Sequence, residues 1–261
     1  MTADATANLS LVPPLVFRVI GLLVFGASGF MIALHSLIIA AAAQRADVAP
    51  STRARAPLAV AGALALWFAF ALTIADTTHF PPLTDASRLQ ITLVGLITPI
   101  VVGIAALFAS RTLRTINAAT PSPWLIWPQT YRVLGGMFLY PFLYYGVLPG
   151  GFAWPAGVGD TLVGLFAPIV ALAVARGTPH ARTWAILWNV LGLVDLIAAP
   201  ISALATGAGV AIIYPIALVP LFVGPPLAVL LHVFSLRNLL VSRPVSRSAP
   251  FGAFTTSTAR G

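Results

Sequence analysis

Residues 152–176 read FAWPAGVGDTLVGLFAPIVALAVAR. A single carboxylate, Asp160, interrupts an apolar run that ends in Arg176. A bilayer-spanning helix needs about 20 mainly apolar residues, and this run supplies them. The same pattern returns at 183–205, TWAILWNVLGLVDLIAAPISALA, around Asp195. The whole chain agrees with these two stretches. Its 261 residues are 59% hydrophobic and 8% charged, with mean hydropathy +0.97. Soluble domains carry roughly a quarter charged residues, so this composition belongs to a membrane protein.

The predicted fold is all-α, a polytopic bundle of seven transmembrane helices. Spans are expected at Pro14–Ala42, Pro57–Ile74, Leu89–Ala109, Tyr131–Val147, Pro155–Ala175, Thr183–Ala205 and Tyr214–Leu236. Residues 1–240 form this domain. Residues 241–261, rich in Ser, Pro and Arg, are expected to be a disordered cytoplasmic tail. The opening MTADATANLSLVPP lacks a basic n-region, so the first span is expected to be retained and not cleaved as a signal peptide. Prolines 215, 220, 225 and 226 make the last span an irregular one.

Arginines set the direction. Arg45, Arg53 and Arg55 lie in one loop, Arg111 and Arg114 in another, Arg176 and Arg182 in a third, and Arg237, Arg243, Arg247 and Arg260 at the C-terminal end. The alternate loops carry only Arg88. The positive-inside rule then puts the N-terminus outside and the C-terminus in the cytoplasm. The same distribution accounts for the net charge of +8. It makes the lipid bilayer the expected partner and gives no reason to expect nucleic acid.

All 14 basic residues are Arg and all 6 acidic ones are Asp; Lys, Glu and Cys are absent. No Schiff-base lysine, thiolate nucleophile, iron–sulfur cluster or cysteine zinc site can therefore be built. No catalytic group, cofactor or metal ligand set is expected. What remains is a small set of polar residues inside the spans. An ionisable group there costs roughly 2.5–3.5 kcal/mol to insert and points to function. By depth the set splits into two groups. Arg18, Asp160 and Asp195 fall toward the outer half, and Arg132, His35, His232 and Asn189 toward the cytoplasmic half. All seven are candidates for binding a substrate or ion. Asp160 lies within about two turns of a helix N-terminus, where free amides favour a carboxylate. Its expected partner is Arg18. Asp195 has no helix end nearby and is expected to pair with Arg18 or Arg88, or to hold a proton.

The stretch WPQTYRVLGGMFLYPFLYYGVLPGGFAWPAGVGDTLVGLFAP, followed by WNVLGLVDLIAAP, resembles a group of uncharacterised bacterial multi-span membrane proteins. The resemblance covers roughly residues 120–240. It implies a multi-pass protein of the bacterial inner membrane and carries no activity with it. From the residues, the expected function is binding or transport of a small solute through a polar interior, with Asp195 as the proton-coupling group. One alternative is a non-catalytic membrane sensor or assembly partner. Another is a membrane-embedded enzyme acting on lipid or quinone.

Overall fold

The computed structural model describes residues 12–76, 85–208 and 216–241, and the regular elements among them are all helical. In chain order they are α1 (Pro14–Arg45), α2 (Pro50–Ala75), α3 (Asp85–Ala109), α4 (Arg111–Ala119) and α5 (Ser122–Ile126). A 3-10 helix, Trp127–Phe138, runs straight into α6 (Leu139–Tyr145). Then come α7 (Gly150–Arg176), α8 (Ala181–Thr206), a π-helical turn at Val219–Val223 and α9 (Pro225–Val241). The N-terminal arm, Tyr214 and the tail expected to be disordered lie outside the described residues.

Local chemistry sets the ends. Pro14 and Pro50 stand in first turns, where a missing N–H costs nothing. Gly146 and Gly177, both at φ 60°, close α6 and α7 in the left-handed conformation that lets the chain turn back.

Among the described residues, six helices are long and apolar enough to cross a membrane, not seven: α1, α2, Leu89–Ala109 of α3, α7, α8 and Val219–Val241. The expected fourth span, Tyr131–Val147, is not a continuous α-helix. Its place is taken by the 3-10 helix and the short α6. Runs of 3-10 helix beyond three or four residues are uncommon, and this one has 12. Pro128 and Pro141 remove amide donors near its two ends, and Gly135–Gly136 lowers helix propensity in the middle.

This segment nonetheless runs antiparallel to α7 along most of its length. Gly164 lies against the Val133 backbone, Gly157 against Leu139 and Gly150 against the Phe142 ring. The chain thus passes from one end of the bundle to the other between Trp127 and Tyr145. At about 2.0 Å per 3-10 residue and 1.5 Å per α residue, it reaches about 34 Å.

The apolar core gathers around the π-helical turn. Leu218, Leu221 and Phe222 pack there with Val24 and Met31 of α1, Phe138, and Phe152 of α7. A π turn and neighbouring prolines leave carbonyls without helical donors. One is answered by Trp67 of α2, whose Nε1 donates to the Leu221 carbonyl at 2.9 Å. The last span is therefore irregular, at the position where its prolines cluster.

Candidate functional site

A 3-10 helix repeats every three residues, so every third side chain eclipses the one before. Gln129, Arg132, Gly135 and Phe138 accordingly form one buried stripe. Arg132 is only 2% exposed. Its Nε donates to Asp160 Oδ1 at 2.7 Å, and Nη2 lies 2.6 Å from the same oxygen. Nη2 also donates to Asp195 Oδ2 at 2.5 Å. Nη1 donates to His232 Nε2 at 3.1 Å. One guanidinium thus joins α7, α8 and α9 to the 3-10 helix.

The hydrogen bonds continue beyond it. Because His232 Nε2 accepts from arginine, the network assigns the ring proton to Nδ1, which donates to Asn189 Oδ1 at 2.9 Å. Asn189 Nδ2 donates to the Ala185 carbonyl at 2.7 Å and to Ser235 Oγ at 3.2 Å. Two carboxylates thus face one guanidinium. Were both ionised beside a neutral His232, the cluster would carry a net charge of −1.

Glycines make room for these groups. A Cβ on Gly135 would overlap Asp160, one on Gly159 would overlap the Asp195 carboxylate, and one on Gly192 would overlap the His232 ring. A Cβ on Gly164 would stand 2.5 Å from the Val133 amide nitrogen, pressing on the backbone that carries Arg132. Each member of the ionic cluster is seated against a glycine of a neighbouring segment.

The two ends of the cluster differ. On one side Asp160 borders an 80 Å³ cavity whose other walls, including Phe138, Phe152, Leu196 and Val219, are almost wholly apolar. A 150 Å³ apolar cavity accommodates benzene, so this one suits a solute of only a few heavy atoms. On the other side a polar stripe leads away. His232, Ser235 and Asn238 recur every three residues along α9, and all are buried. Asn238 Oδ1 accepts from Asn117 Nδ2 at 2.8 Å, and Asn238 Nδ2 donates to the carbonyls of Asn117 at 2.6 Å and Thr120 at 3.0 Å. The stripe ends at α4, beside the C-terminal end of α1. Gln129, one 3-10 turn from Arg132, is fully buried with both amide atoms unpaired among the described residues.

Of the seven candidates, Asp160, Asp195, Arg132, His232 and Asn189 meet in this network. Two do not. Arg18 is exposed on α1 and forms no ion pair with either carboxylate, so the expected Arg18–Asp160 pair is replaced by Arg132–Asp160. His35 stays within its own helix, its Nδ1 2.6 Å from the Met31 carbonyl. The Arg88 side chain, the other expected partner of Asp195, lies outside the described residues. Members of the expected outer and inner groups meet in one network, and the position of Arg132 helps to join them. Arg132 is five residues into a 3-10 helix, about 10 Å from its start, and an arginine side chain adds several ångströms more. Residue counting at α-helical rise leaves it too shallow. The glycine seats and the Asn117–Asn238 pair were not anticipated. The spacing His232, Ser235, Asn238 was the one visible signal of the pair.

Comparison with curated proteins and with solved structures gave no match. A family model does match residues 89–240. That stretch holds Arg132, Asp160, Asn189, Asp195, His232, Ser235 and Asn238, and leaves out Arg18 and His35. The chain that builds this buried ionic cluster belongs to the family of the domain of unknown function DUF8737.

Proposed function

We propose that this is a seven-crossing protein of the bacterial cytoplasmic membrane, N-terminus outside, that binds or moves a small cationic solute in a proton-coupled manner. Loop arginines support the orientation. The reach of the 3-10 helix and α6, about 34 Å against a hydrocarbon core of about 30 Å, supports the extra crossing.

One observation carries the function. A cluster of two carboxylates and one guanidinium sits between a small apolar cavity and a polar stripe. A cation entering the cavity meets Asp160 first. It competes with Arg132 for that carboxylate and offsets the residual negative charge. A proton on Asp195 offsets the same charge. Cation and proton therefore compete for one site, and binding of the first releases the second.

The test uses proteoliposomes with a trapped pH-sensitive dye and the potential clamped by valinomycin and potassium. Tetramethylammonium, glycine betaine and methanesulfonate serve as cationic, neutral and anionic probes. A tetramethylammonium gradient should drive proton movement in the wild type. Asp195→Asn should abolish it while leaving expression and melting temperature intact. Absence of proton movement with all three probes, or equal movement in Asp195→Asn, would sink the reading.

A further inference from the structure

A second concavity, separate from the cavity beside Asp160, lies at the end of the bundle where α1 and α7 terminate. It measures 640 Å³, eight times the cavity beside Asp160. α1 contributes Leu34, Leu37, Ile38 and Ala41, and α7 contributes Pro168, Ala171, Leu172 and Ala175. Each set follows the three- and four-residue spacing of a single helix face. Each wall runs about 10 Å along its helix axis. Trp124 of α5, with Trp127 and Pro128 of the 3-10 helix, closes the third side. Alanines keep the floor low, whereas Leu37 and Trp127, both more than half exposed, form a raised rim. The lining contains no polar side chain other than the tryptophan N–H groups.

The mouth is charged. Arg45 is four residues beyond Ala41, on the same face of α1 and at its last position. Its guanidinium carbon stands 4.4 Å from the centroid of the Trp124 ring. Stacking uses the face of the guanidinium and leaves its N–H edge for an acceptor. Arg176 follows Ala175 at the end of α7. Neither arginine forms an ion pair among the described residues, and the carboxylate nearest in sequence, Asp47, is exposed in the turn after α1. An apolar trough about 10 Å deep beneath two unpaired arginines matches a molecule with one long hydrocarbon chain and an anionic head.

We infer that this groove holds an acyl chain of an anionic phospholipid, with Arg45 and Arg176 on its phosphate. A neutral zwitterionic lipid would fill the trough equally well but gain less from the arginines. The selectivity therefore resides in the mouth, and the retention in the walls. The site does not depend on the solute reading above, and it is tested separately.

The experiment is native mass spectrometry of the full chain, titrated in detergent with dioleoylphosphatidylglycerol or dioleoylphosphatidylcholine. The wild type should retain one phosphatidylglycerol at least about five-fold more tightly, the effect of one arginine near an anionic headgroup. Arg45→Gln should lower that preference about five-fold without weakening phosphatidylcholine, Arg45→Gln with Arg176→Gln should bring the two lipids close to parity, and Arg45→Lys should keep part of the preference. Leu37→Trp, at an already exposed position, should lower retention of both lipids by narrowing the trough. Equal retention of the two lipids by the wild type, or an unchanged preference in Arg45→Gln, would overturn the inference. So would a dimer that Leu37→Trp dissociates with bound lipid unaltered, since the groove would then belong to a second copy.

Discussion

The nitrogens of the Arg132 guanidinium reach three partners: Nε to Asp160, Nη2 to Asp195 and also against Asp160, and Nη1 to His232. A lysine could not replace it, because one ammonium cannot span three partners in a plane. Removing the charge should be worse than removing the whole cluster. Arg132→Gln leaves two largely buried carboxylates without a counter-charge, and breaking a buried pair from one side costs about 3–5 kcal/mol. The triple variant Arg132→Gln, Asp160→Asn, Asp195→Asn has no such penalty and should recover most of the loss. Thermal melts in detergent, followed by tryptophan fluorescence, separate the two. A single variant as stable as the wild type would show that Arg132 does not hold the carboxylates together. At this scale the aspartates were legible, because each is the lone carboxylate in a long apolar run. Their partner was not. Arg18 has the right depth on an α-helical ruler, and nothing in the local sequence announces a 12-residue 3-10 helix.

Among the elements, the contact between α7 and the 3-10 helix depends on where glycines fall. Gly157 and Gly164, seven apart, stand against Leu139 and the Val133 backbone. Gly159 and Gly192 were not recognisable as seats, since the groups they admit belong to residues 36 and 40 positions away, Asp195 and His232. The glycines should therefore differ sharply in tolerance. At Gly164 the obstacle is backbone, the Val133 amide nitrogen, which cannot rotate aside. Gly164→Ala should cost about 1–3 kcal/mol, the usual range for overpacking. Gly62 of α2 has nothing within 4 Å of an added Cβ. Gly62→Ala should be neutral or stabilise by up to about 1 kcal/mol, through the entropy glycine loses on folding. The same melt reads both, and similar effects at the two sites would contradict the packing argument.

For the whole molecule, the sequence makes the number of membrane crossings easy to test. There is no native cysteine, so single introduced thiols report without background. Ala118 in α4 and Tyr144 in α6 are both exposed and flank the 3-10 helix. A membrane-impermeant maleimide should label Ala118→Cys only from the cytoplasmic side and Tyr144→Cys only from the other. Labelling of both from one side would leave the 3-10 helix as a re-entrant piece and the crossings at six. The helical class and six of the expected spans were readable because hydropathy registers long apolar helices directly. The fourth was misread because the same apolar content can be spread over a longer rise per residue. That difference in rise has a consequence for the buried charge. Were Trp127–Phe138 to rewind as an α-helix, it would shorten by about 6 Å, roughly a fifth of the hydrocarbon thickness. A full unit charge crossing the membrane is worth about 2.3 kcal/mol per 100 mV, so Arg132 carried over that fraction would exchange up to about 0.5 kcal/mol with the field. The central cation of the cluster thus sits on a segment whose rise per residue exceeds the α-helical value, and a membrane voltage would act on any change in that rise.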